Sequence, residues 1–180
     1  MKRLILSLFF VFTSTLATAQ QEGNITIELD SLSKPNWTEQ ERQNVVLISD
    51  FVQNMMNDHN FAYVLEHYND SAYVQHNRNI PDTISGLVGF LQQLVEDYPD
   101  YTYDVKHIYA DGNYVVFHSH ATLNREDRGD DQKGLNIIDS WRVDNGRIVE
   151  HWDAIQPLDG FLRFNALLNG GTIRNANGVF

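Results

Sequence analysis

The apolar residues of this chain change period once, and that change limits the fold more than any other feature. Between Val45 and Tyr98 they recur three and four apart; from Tyr101 onward they alternate. Val45, Ile48, Val52 and Met55, widened by Leu47, Phe51 and Met56, form one helical stripe. Thr38-x-x-Glu41 ahead of them has the form of a capping box, and the helix is expected to end near Asp58. Phe61, Val64, Leu65 and Tyr68 predict a second helix, capped by Asn60. Ser85 is expected to cap a third, carrying Leu87, Phe90, Leu91, Leu94, Val95 and Tyr98, with Pro99 as its stop. Between these helices "SAYVQHN" (71–77) predicts a short strand. Four longer strands follow, at 101–110, 114–123, 134–143 and 148–155. Asp111-Gly112-Asn113 and Asn145-Gly146 are the turns, and 124–133 is a charged loop. Helices followed by an antiparallel meander imply an α+β fold. Its N-terminal helices should pack on a curved antiparallel sheet, a geometry that can enclose a conical pocket.

The two ends read differently. Met1-Lys2-Arg3, the apolar run from Leu4 to Phe12 and Ala17-Thr18-Ala19 together predict a signal peptide over 1–19. Residues 20–37 follow as a flexible lead-in, 38–157 as the folded domain, and 158–180 as a C-terminal extension in which "GFLRFNALL" predicts a short helix. Loss of Lys2 and Arg3 with the leader would take the formal charge from −11 to about −13. So acidic a protein is unsuited to nucleic acid or to an anionic membrane surface. It contains no cysteine, which excludes disulfides, thiolate nucleophiles and cysteine-based metal sites. A secreted or periplasmic location is expected, with no membrane attachment after leader cleavage.

Chemistry is suggested first by Asp139. It stands between Ile137 and Trp141, on the side of a strand that should be apolar. A charged carboxylate there must find a donor or take up a proton. A two-residue Asn145-Gly146 turn pairs 144 with 147, sets Asp139 opposite Trp152, and puts Ile148 and Glu150 on the same face. A three-residue loop with a bulge at Gly146 would instead set Asp139 beside His151, with Asp153 near. The two-residue form is favoured, and the other remains open. A structural ion pair of Asp139 with Arg142 or Arg147 is the non-functional alternative. His118 and His120 share one strand face and could line a polar cavity. A metal on them would need further ligands, with His76, Glu150, His151 and Asp153 as the candidates, and no recognised ligand spacing is present. No metal and no cofactor is therefore expected. His76, Tyr73, Gln75 and Asn77 sit in or beside the short strand. Nucleophile-elbow, phosphate-loop, dinucleotide-binding and HExxH motifs are all missing from the sequence.

Three segments carry a resemblance: "YVQHN", "YADGNYVVFHSH" and "IIDSWRVDNGRIVEHWDAIQP". With the element order around them, roughly residues 40–157 resemble the SnoaL-like polyketide cyclases of the NTF2-like superfamily, in particular their predicted aldol-condensation branch. The resemblance implies a cone-shaped fold with a pocket between sheet and helices. It implies Asp139 as acid/base, since cyclases of this type use an Asp in the third long strand. Related ketosteroid isomerases keep a protonated Asp at a comparable position. Their base lies where this chain reads Gln75-His76-Asn77, so His76 would replace a carboxylate, which is a departure. Trp152 matches a pocket tryptophan. The implied activity is non-covalent acid/base chemistry next to a carbonyl, of aldol, cyclase or isomerase type. Asp139 and His76 would be the pair and His118 or His120 would orient the oxygen. Tyr73, Trp141, Glu150 and Trp152 would contact a small apolar or carbonyl-containing molecule. The alternative is a non-catalytic ligand-binding or dimerisation module, and a homodimer is expected in either case.

Overall fold

The computed structural model describes residues 25–70, 72–169 and 173–179. The expected signal peptide lies outside them. Helix α1 (Leu29–Leu32) is a single turn; α2 (Glu39–Val52) runs on into a π-helical turn at Gln53–Asn57, and α3 is Phe61–Tyr68. The Thr38–Glu41 capping box forms, with the Thr38 side chain accepting from the Glu41 amide and the Glu41 side chain accepting from that of Thr38. Val45, Ile48, Phe51, Val52 and Met55 are buried. Each such side chain contributes roughly 1.5–3 kcal/mol when fully buried. A cap contributes about 1, so the cap sets where α2 starts while the stripe sets where it docks.

Two helix starts differ from the expectation. Helix α4 (Ile84–Asp97) is capped by Thr83, whose side chain accepts from the Gly86 amide, and Ser85 lies inside the first turn. Asn60 occupies the cap position of α3, but its side chain makes no capping bond there; it donates to Asn54 instead. Of the lead-in expected over 20–37, residues 25–37 are described, and some of them contact the domain. The Gln53 side chain bonds the backbone of Ile25 and Ile27, and Trp37 is buried in the core.

One five-stranded sheet has the order β1-β5-β4-β3-β2. Its strands are β1 (Val74–Gln75), β2 (Thr102–Asp111), β3 (Tyr114–Thr122), β4 (Leu135–Asp144) and β5 (Arg147–Pro157); only the β1–β5 pairing is parallel. The helices cover one face. Its buried residues run Tyr103 and Val105 on β2, Val115 and Phe117 on β3, Ile137, Asp139, Trp141 and Val143 on β4, and Ile148 and His151 on β5.

Two bulges keep that face continuous. One lies between Val105 and His107 and the other opposite Arg142/Val143, where β5 carries an extra Val149. The Asn145-Gly146 turn itself takes the expected two-residue form. Asp144 pairs with Arg147, and both turn residues have positive φ (48° and 72°), the conformation Asn-Gly accommodates best. The helix expected after Pro157 is α5 (Gly160–Asn169). Beyond it residues 174–178 lie along the 75–80 loop. Arg174 donates its amide to Arg78, the Asn175 side chain donates to Asn77 and Ile80, and the Asn177 side chain donates to the Gln75 carbonyl.

Candidate active site

The extra Val149 decides the composition of the site. Between it and the turn the register is the expected one; beyond it every residue of β5 is displaced by one. Asp139 therefore pairs with Asp153, and Trp141 with His151. The expected partner Trp152 pairs with Ser140 and points the other way, as does Glu150, which pairs with Arg142. Ile148, on the turn side of the bulge, keeps its place on the inner face. The partners are those of the slipped register, but the slip comes from the strand and not from the turn.

Asp139 is 3% exposed and has two hydrogen-bond partners in reach. The Tyr103 hydroxyl donates to its Oδ2, and His151 Nε2 lies 2.9 Å from its Oδ1. His151 is equally buried, at 3%, and is stacked on the Trp141 ring with centroids 5.2 Å apart. On its other side Nδ1 is 2.9 Å from Gln75 Oε1, and Gln75 Nε2 donates to the Tyr73 hydroxyl at 3.1 Å. Asp153 completes the group. Both its oxygens accept from Asn77 Nδ2, at 2.9 and 2.7 Å.

The placement of each side chain has a local cause. Tyr103 lies on the edge strand β2, where a free backbone edge needs a partner. The Asn57 amide at the end of the π turn supplies it, donating to the Tyr103 carbonyl (3.0 Å) and accepting from its amide (2.8 Å). Gln75 and Asn77 are brought in by the parallel pairing of β1 with β5, which sets Gln75 beside His151.

Burial, and then the charge of Asp139, push the Asp153 carboxyl above the usual carboxylate range, against the opposing influence of His151. The Tyr103 hydroxyl is pushed well up, first by burial and next by the Asp139 charge. Tyr73 is raised for the same two reasons in the same order. Both phenols thus keep their protons at neutral pH. Asp139, His151 and Asp153 also present ligand atoms within 4.8 Å of one another, so among the described residues they are the group that could hold a metal ion.

Of the residues expected at the site, Asp139, Tyr73 and Trp141 are gathered here. The imidazole expected from His76 comes from His151 instead. His76 turns to the outer face, stacked on Trp152 (centroids 4.6 Å, 5°) and 3.5 Å from Glu150, which also pairs with Arg142. Its Nδ1 is held by the Gly178 carbonyl at 2.6 Å. His118 and His120 also face outward, because Phe117 and Ser119 take the inward positions of β3. His118 bonds Asn136 and His120 the Lys133 carbonyl, beside a surface cavity of ≈ 380 Å³ that also includes Lys106, Asp131 and Leu158. A second cavity, of ≈ 290 Å³, lies between α5 and the 123–134 loop. Neither of these two is lined by Asp139 or His151. Tyr103 was not a candidate on the sequence, and Asp153 entered only as a possible metal ligand and as a neighbour of Asp139 in the slipped register; a polar tyrosine facing a core aspartate was a signal available once the sheet order was known.

Residues 48–151 match the profile of the SnoaL-like domain. The chain belongs to that family, within the NTF2-like superfamily. Solved structures agree on the fold. A provisionally named polyketide cyclase from Bacillus cereus aligns over 68% of this chain and 81% of its own, at 17% identity and TM-score 0.55. A provisionally named SnoaL-like polyketide cyclase from Jannaschia covers 77% and 100% at 14% identity and TM-score 0.53. TsrD from Streptomyces laurentii covers 74% and 100% at 16% identity and TM-score 0.53. The comparison with curated proteins gave no match.

Proposed function

We propose that this SnoaL-like protein carries out non-covalent acid/base chemistry next to a carbonyl, of aldol, cyclase or isomerase type, on a small molecule outside the cytoplasm. The observation that carries the reading is the 2.9 Å contact between His151 Nε2 and Asp139 Oδ1, both groups buried and, among the described residues, neither paired with a guanidinium. A carboxyl and an imidazole at that distance can pass one proton between them and hold it ready for a substrate carbon or oxygen. The half-buried Asp153 is the member of the group nearest solvent, and a ligand would meet the pair from its side. The provisional names of the structural neighbours support the same reaction class.

The experiment is turnover of a panel of aromatic and β-keto compounds by the wild type and by Asp139→Asn. Turnover lost in a folded Asp139→Asn variant supports the reading; full activity in that variant ends it. Binding without turnover would favour a ligand carrier, the reading that the near-complete burial of Asp139 and His151 also suits. Export through the 1–19 leader is part of the proposal, and N-terminal sequencing of the secreted product tests it. So is pairing of two copies through the outer sheet face, where Tyr109, Tyr114 and Ile138 are exposed; sedimentation tests that.

A further inference from the structure

Gln75 has no exposed surface, yet its side-chain amide is fully engaged. The Asn77 backbone amide donates to Oε1 at 2.9 Å. A backbone N–H can only donate, so this bond fixes which end of the Gln75 amide is oxygen. The same oxygen is 2.9 Å from His151 Nδ1. An acceptor there requires a hydrogen on Nδ1. At the other nitrogen, Nε2 faces Asp139 Oδ1, also an acceptor when ionised. Two lone pairs at 2.9 Å would repel, so one proton must lie between them, on the imidazole or on the carboxyl.

From this arrangement we infer that Gln75 is a positioning residue: it pins His151 with its hydrogen on Nδ1 and so directs Nε2, with a single shared proton, at Asp139. The inference rests on the acid/base reading for its purpose but not for its geometry. It makes Asp139 the group that meets a substrate. His151 has no second lone pair to offer and serves as the store of the proton. It also ties the C-terminal segment to the chemistry, because the Asn177 side chain holds the Gln75 carbonyl and the Asn175 side chain holds that of Asn77.

The test is nitrogen-15 NMR of the histidine side chains in the full chain, without ligand. Wild-type His151 should show Nδ1 as the protonated, pyrrole-like nitrogen. Gln75→Leu, with no acceptor, should release it: Nδ1 becomes pyridine-like and Nε2–H donates to Asp139. Gln75→Glu, which keeps an acceptor at that place, should keep the Nδ1 hydrogen. A pyridine-like Nδ1 in the wild type, or an Nδ1 hydrogen that persists in Gln75→Leu, overturns the inference. If Gln75→Leu does not fold cooperatively, a pyridine-like Nδ1 in Gln75→Glu overturns it as well. These spectra require no turnover. Inactivity of the wild type with the expected spectra would count against the acid/base reading alone.

Discussion

His151 meets Asp139 across the β4–β5 hairpin, Nε2 to Oδ1 at 2.9 Å, because one extra residue, Val149, interrupts the pairing between them and the turn. The contact joins two groups that are each costly to bury alone. Removing one partner exposes the cost of the other.

Substitutions of Asp139 should separate chemistry from folding. Asp139→Asn keeps the size of the side chain and an oxygen for Tyr103. Its loss of stability should stay within roughly 1–3 kcal/mol, the cost of one impaired buried hydrogen bond, while turnover disappears. Urea denaturation and the compound panel measure the two effects.

His76, just after β1, and His151, within β5, should differ in what each contributes to stability. His151→Leu leaves the buried Asp139 carboxylate facing an apolar group and should cost roughly 3–5 kcal/mol. His76→Leu loses a carbonyl partner at Gly178 and the contact with Glu150, both near the surface, and should cost about 1 kcal/mol. Equal losses in denaturant melts would contradict the placement of His151 at the centre of the network.

Asp153 should make stability fall as the solution becomes less acidic. Its carboxyl is raised in the folded protein, first by burial. Between the ordinary carboxylate value and that raised value the folded state therefore binds more protons than the unfolded one. Stability contributed by this group is full below the unfolded value and is lost as pH rises through the folded one. Asp153→Asn should flatten that part of the curve and narrow the stability gap to wild type as pH rises. A steeper fall in the variant would show the sign to be wrong.

Removal of residues 173–180 should loosen the loop that carries Gln75 and Asn77. Three side-chain bonds from Asn175 and Asn177 are lost, each worth about 1 kcal/mol net. Hydrogen exchange at the Gln75 and Asn77 amides should accelerate while that of Ile48 and Phe51, in the core of α2, is unchanged. Unaltered exchange at Asn77 would mean that the segment is not a clamp.

The α+β order, the capping box, the Asn-Gly turn and the inward carboxylate of Asp139 were all determined by sequence alone, because period, cap chemistry and turn chemistry act between near neighbours in the chain. The partner of Asp139 was not. A bulge has no residue signature comparable to Asn-Gly, yet it moves every later side chain of β5 to the other face. That shift brings in His151 and Asp153 and sends Trp152 and Glu150 outward. His118 and His120 were legible as a pair, but which side of β3 they occupy follows from Phe117 and Ser119 taking the covered one. Tyr103 reaches Asp139 only because the sheet sets β2 beside β3 and β3 beside β4. Local forces chose the elements and the acid; only the packing of distant strands, through one inserted residue and one sheet order, chose what that acid touches.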